Sequence, residues 1–169
     1  MDVTLLPVPY EDKTILQNLM QLYRYDSSEF DGHVLNQHGL YLYKYLDHQW
    51  TDDHRRPLLV KVDDEITGFV LVSLDIPKEF TKLSNAEKTN VISDFFIMRK
   101  FRRLGVGKKV ACSLFDQYKG MWEIRQTLGN QAAQMFWKKV IHEYTDGHIH
   151  KEELVQNDSW HGPVLVFQS

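Results

Sequence analysis

Apolar residues recur along this chain with two different periods, and the switches between them outline its elements. "VTLLPV" near the start reads as a short strand. From Asp12 onward Ile15, Leu19, Leu22 and Tyr23 fall at helical spacing, which predicts an amphipathic helix to about Tyr25, broken by "DSSEFDGH". Leu42, Leu46 and Trp50 predict a second helix, although the tyrosines among them also suit a strand. In "RPLLVKVDDEITGFVLVSLD" two apolar or β-branched runs flank Asp63, Asp64 and Glu65, so residues 58–62 and 66–74 are expected to pair as an antiparallel hairpin. After a polar connection around "KLSNAEKTN", "VISDFFIM" is the next strand, and Val106, Val110, Leu114 and Tyr118 mark a helix from near Leu104. "MWEIRQTL" follows as a strand, "NQAAQMFWKKVI" as a helix, and "GHIH" and "GPVLVFQS" as closing strands. The order β, α, α, β, β, β, α, β, α, β, β packs most simply as a mixed sheet with helices on both faces.

Composition narrows the class. With 169 residues, 43% of them hydrophobic and no repeat or low-complexity tract, one domain spanning 1–169 with a substantial core is expected. A net charge of -3 argues against a surface built for nucleic acid or for an anionic membrane, so neither is expected as a partner. Cys112 is the only cysteine, which excludes an intrachain disulfide and a multi-thiolate zinc site and fits a cytoplasmic protein. The first residues, "MDVTLLPVPYEDK", carry acids and prolines where a secretory signal has a basic start and an apolar stretch, so a soluble, unprocessed chain is expected.

The chemistry concentrates in "SDFFIMRKFRRLGVGKK", residues 93–109, where an apolar strand runs into Arg99, Lys100, Arg102 and Arg103 and then Gly105 and Gly107 open a helix. The first amides of a helix lack partners and carry roughly half a positive charge, and a residue without Cβ lets the backbone approach a ligand. Together they make a nest for a phosphate or pyrophosphate. A tight structural turn is the alternative. The dinucleotide fingerprint would need a third glycine where Val110 stands, and the Walker lysine pattern is missing.

Arg102, Gly105 and Gly107 follow the pattern Arg/Gln-x-x-Gly-x-Gly/Ala, after a strand ending "FFIM" and before a strand that leads to a helix opening with Asn130 and Ala133. This resembles the GNAT superfamily of acyl-coenzyme A dependent N-acetyltransferases, most specifically between about Asp94 and Trp137. The resemblance implies an α/β (α+β) fold with a mixed, mostly antiparallel central sheet, and acetyl-coenzyme A as co-substrate. It implies that Arg102, Arg103, Leu104, Gly105, Val106, Gly107 and Lys108 hold the pyrophosphate and that Ile97, Met98 and Arg99 meet the pantetheine arm. Asn130 matches the position that bonds this arm and is equally a favoured helix N-cap.

Acetyl transfer to an amine needs a neutral nitrogen, donors for the developing oxyanion and a proton for the leaving thiolate. Asp94, an acid in an otherwise apolar strand, is the candidate base; its alternative is a structural ion pair. Trp137 stands where the family often has a tyrosine near the thioester sulfur, and an indole cannot supply a proton, which leaves water, another tyrosine such as Tyr144, or departure of the thiolate unprotonated. "YRYDSSEFDGH" corresponds to the acceptor side and sets Asp26, Glu29 and Asp31 beside Tyr23, Tyr25 and Phe30, so Tyr25, Asp26, Glu29 and Phe30 are candidate substrate-binding residues for a small-molecule or peptide amine; a solvated polar loop is the alternative. Three rival readings remain: a nucleic-acid module around "RKFRR", a zinc site at His142, His148 and His150, and a non-catalytic acyl-coenzyme A binder of the same fold. No metal is expected, and a homodimer is a compatible assembly.

Overall fold

The structure is a computed structural model that describes all 169 residues. Seven strands form one sheet: β1 (Val3–Pro7), β2 (Arg55–Val62), β3 (Glu65–Pro77), β4 (Lys88–Ile97), β5 (Met121–Arg125), β6 (Lys151–Asn157) and β7 (Trp160–Gln168). Their order across the sheet is β1-β2-β3-β4-β5-β7-β6, and only β4 and β5 run parallel. Four helices accompany them: α1 (Lys13–Asp31), α2 (His48–Thr51), α3 (Val106–Gln117) and α4 (Gln131–Tyr144). The expected α+β arrangement is therefore present, and the β2–β3 hairpin turns at Asp63 and Asp64, both with positive φ, as a primed turn requires.

Each face of the sheet has its own core. Val106, Val110, Leu114 and Phe115 of α3 and Trp137, Val140 and Ile141 of α4 pack against Val60, Val70, Ile92, Trp122 and Phe167 on one face. Leu16, Leu19 and Met20 of α1, with Leu46, cover Leu59, Phe69, Leu71 and Phe96 on the other. Alternation along the strands divides the side chains between these two layers. No helix is long and apolar enough to cross a membrane.

Three boundaries differ from those the sequence pattern predicts. Helix α1 does not break at Asp26 but continues to Asp31, where Gly32 in the left-handed region ends it. Within the last turns Ser27 and Ser28 donate to the carbonyl oxygens of Arg24 and Tyr25, so their hydroxyls are satisfied without leaving the helix. The segment holding Leu42, Leu46 and Trp50 forms a series of turns with only the four-residue α2 at its end, pinned by bonds between Gln21 and the backbone of Tyr41 and by Trp50 donating to Val8. Finally, "GHIH" lies in a turn, where Asp146 and Gly147 have positive φ, and the sixth strand is "KEELVQN".

Candidate active site

The site arises where the parallel ladder fails. Strands β4 and β5 pair only at Asn90↔Trp122 and Val91↔Glu123, and beyond these residues they diverge. The opening is a cleft of about 210 Å3 whose walls include Asp94 and Phe95 of β4, Ile124 and Arg125 of β5, Asn130 and Trp137 of α4, and Tyr23 and Phe30 of α1. With the amide of Met98 donating to Thr67 of β3 at 2.8 Å, alternation turns the amide of Ile97 towards the diverging side. The Ile97 carbonyl oxygen, on that same side, accepts from Arg102 Nε at 2.7 Å.

At the end of β4 a single 3-10 turn, Arg99–Phe101, leads through Arg103 at φ 62 and Gly105 at φ 80 into α3. No protein group accepts from the amides of Arg103 through Lys108, which leaves a continuous run of free donors at the positive end of α3. A Cβ built on Gly105 meets nothing within 4 Å, so space lies open there. Gly107 is small for a different reason: its Cβ would lie 3.2 Å from the Phe136 ring, so α4 packs directly on it. These donors fit a diphosphate such as that of coenzyme A.

The cations around the loop are mostly paired. Arg99 bonds Asp26 through Nε at 2.9 Å, Lys100 bonds Glu65 at 2.7 Å and Lys108 bonds Glu143 at 2.6 Å. Arg102 also donates to Asp26. Arg103 is the loop arginine without an acid partner. Leu104 is exposed and Val106 is fully buried in the core.

Asp94 lies on the α1 side of the cleft, half-buried, and accepts a hydrogen bond from the Tyr43 hydroxyl at 2.8 Å. Tyr23 approaches the same carboxylate, and burial, reinforced by the charge of Asp94, raises the pKa of both phenols above the ordinary tyrosine value. Both therefore stay protonated donors over the neutral range. Arg24 lies over the rings of Tyr23 and Tyr43 at 5.8 and 5.1 Å. Tyr23 reads in sequence both as a core position and as one of the acceptor-side aromatics, whereas Tyr43 falls in the segment that mimics a helix and carries no functional signal.

Asn130 caps α4, its side chain accepting from the Ala133 amide at 3.0 Å, and also lines the cleft. Trp137 is buried, edge-on to Phe95 and Phe136 with ring centroids 4.9 Å apart in each case, and forms the cleft wall on the α4 side. Of the acceptor-side residues, Phe30 reaches the cleft and abuts Gly129, so the end of α1 meets the loop between β5 and α4. Tyr25 and Glu29 are exposed on α1 outside the cleft wall, and Asp26 is held by the two arginines. Tyr144 sits at the far end of α4, bonded to Asp116 at 2.8 Å and Lys119 at 2.9 Å, away from the cleft. Asp31, an acid of the acceptor-side segment, also lines the cleft, and Ser27, Gln126, Thr127 and Trp160 are among the further wall residues, without a sequence signal.

A family model described as the acetyltransferase (GNAT) family matches residues 18–142. No curated protein sequence matches the chain. Among solved structures, an acetyltransferase from Thermus thermophilus superposes with a TM-score of 0.71 at 14% identity, over 100% of this chain and 98% of its own. Aminoglycoside acetyltransferase AAC(6')-Ib in complex with coenzyme A superposes at 0.68 with 14% identity, over 99% and 95% of the two chains. Its complex with coenzyme A and kanamycin gives 0.67 at 13% identity over the same shares, 99% and 95%. These likenesses establish a shared fold.

Proposed function

The chain belongs to the acetyltransferase (GNAT) family, and from that premise we propose that it transfers the acetyl group of acetyl-coenzyme A directly to the primary amine of a small molecule, with Asp94 as the proton acceptor. One arrangement carries the reading: the cleft between diverging strands has the Tyr43-bonded carboxylate of Asp94 in its wall, and the loop that follows the same strand, β4, carries the free amides of residues 103–108, with Gly107 beside the cleft-lining Phe95. A solved protein of this fold, aminoglycoside acetyltransferase AAC(6')-Ib, is in complex with coenzyme A and, in a second structure, with coenzyme A and kanamycin, which supports a small-molecule acceptor.

Acetyl-coenzyme A, when bound, supplies an activated thioester. The residues that would hold it are the backbone amides from Arg103 to Lys108 with Arg103 for the diphosphate, and the edge of β4 at Ile97 with Asn130 and Trp137 for the arm. Asp94 accepts the proton that the amine loses as its nitrogen bonds the acyl carbon. The amide of Ile97 faces the side on which the thioester oxygen would gain charge, whereas Met98's amide is committed to Thr67. With an indole at Trp137, the thiolate leaves unprotonated or takes its proton from water. The acceptor end carries Tyr23, Phe30 and Trp160 with Asp31 and Asp94, and this mixture of aromatic faces and carboxylates suits a small cationic amine.

Calorimetric titration of acetyl-coenzyme A, followed by thiol release with a panel of amines, tests the proposal. The wild type should bind. Gly105→Asp, which puts a negative charge into the open space before the amides, should lose binding at least tenfold. Asp94→Asn should keep binding while kcat falls roughly 100-fold, the range expected for a general base. Binding without transfer to any amine would favour a non-catalytic acyl-coenzyme A binder, and absence of binding would defeat the reading.

A further inference from the structure

Two residues that the sequence assigns to opposite sides of the site meet each other. Asp26, read as an acceptor-side acid, and Arg102, read as a cofactor cation, form an ion pair, and Arg99 joins them through Nε at 2.9 Å and Nη2 at 2.8 Å. Arg102 is fixed twice more: its Nε donates to the Ile97 carbonyl at 2.7 Å, and its guanidinium lies 5.9 Å from the centre of the Phe96 ring. Phe96 belongs to the core on the α1 face, so the guanidinium is drawn towards that face, whereas the free amides open at the start of α3, which packs on the other.

Asp26 also has informative neighbours on α1. One turn before it, Tyr23 approaches Asp94; one residue later Ser27, and one turn later Phe30, line the cleft. The carboxylate thus ties the cleft-lining turns of α1 to the segment that joins β4 to α3. Resting on the acetyltransferase reading above, we propose that Asp26 and Arg102 form a positioning pair: Arg102 does not ligate the diphosphate but bolts the end of α1, and with it the acceptor wall, to the cofactor loop. The diphosphate is left to the amides from Arg103 to Lys108 and to the Arg103 side chain. Loss of either partner loosens the acceptor wall and leaves the cofactor's grip intact.

The test uses Asp26→Asn, Arg102→Gln and the double variant, each first checked for a cooperative thermal transition. Acetyl-coenzyme A is titrated into each, and hydrogen exchange of the free proteins is followed over residues 24–32. The expected result is a Kd within about threefold of wild type in all three, with exchange over residues 24–32 accelerated in all three: at least severalfold in Arg102→Gln, where Arg99 still holds Asp26, more in Asp26→Asn, and no further in the double variant, as a coupled pair requires. A loss of acetyl-coenzyme A binding of tenfold or more in Arg102→Gln but not in Asp26→Asn would make Arg102 a phosphate ligand and overturn the proposal. Unchanged exchange would overturn it as well. Failure of the underlying reading is recognised separately, because the wild type itself would then bind no acetyl-coenzyme A.

Discussion

Glu123 is a fully buried carboxylate in a strand, and its environment explains how the chain tolerates it. Its oxygens accept from the amides of Lys82, Leu83 and Ser84 at 2.7–3.2 Å and from Arg125 Nε at 2.7 Å. Burial by itself raises the pKa, but these donors outweigh it and hold the carboxyl below the ordinary glutamate value. The unfolded chain consequently binds the proton more readily than the native one. The stabilisation is complete above the unfolded value of about 4.3 and is lost as pH falls towards the depressed native value. Glu123→Gln should lower stability at pH 7 by roughly 1–3 kcal/mol, because amide donors and Arg125 lose their anion. It should also flatten the acid limb of stability against pH. Urea melts at pH 7 and pH 4 check both, and parallel losses for the two proteins would show that the carboxylate is not ionised in the fold.

The root of the divergence between β4 and β5 depends on side chains, because the ladder contributes only two register pairs there. Asn90, buried, accepts from the Asp75 amide at 3.0 Å and donates to the Tyr118 carbonyl at 3.2 Å, tying β3 and the end of α3 to the root. Asn90→Ala leaves the Asp75 amide unpaired and should cost roughly 2 kcal/mol, read as a fall in urea midpoint at constant m. Unchanged stability would mean that the two register pairs suffice. This divergence was not legible in the sequence as geometry, since "VISDFFIM" and "MWEIRQTL" carry ordinary strand patterns; the glycines and arginines after β4 carried the signal. Periodicity found β4, α3, β5 and α4 because each buries one continuous face. It misjudged the end of α1, where the polar run Asp26–Ser28 stays helical through its hydroxyl bonds and arginine partners. It misjudged residues 40–47 too, where apolar spacing imitates a helix but the backbone is held by Gln21 and Trp50. Asp94 was legible as an acid among apolar residues and Tyr23 as an aromatic of the acceptor-side segment, while their approach to each other, and Tyr43 altogether, had no sequence signal, since each lies on a different element.

Across the molecule the sheet separates two unequal cores. The face bearing α3 and α4 holds a cluster of 20 buried residues and the α1 face one of 9, so much less apolar surface is buried on the acceptor side. That side is held in addition by polar ties: Asp26 with Arg99 and Arg102, Tyr43 with Asp94, and Gln21 with Tyr41. Between α1 and α2 the chain exposes Val34, Leu35, Leu40 and Leu42, which contribute little to either core. Local opening follows such differences in buried contact, so stability should be graded from one face to the other. Native-state hydrogen exchange should show residues 32–45 exchanging first, the C-terminal half of α1 next, and α3 with β5 only on global unfolding. Saturating acetyl-coenzyme A should slow the amides of residues 103–108 most, since these face the ligand directly. It should slow residues 27–31 to a smaller degree, through the Asp26 tie. Equal protection of α1 and α3 would mean that the two faces unfold as one unit, and that the acceptor wall owes its position to the sheet rather than to the polar ties.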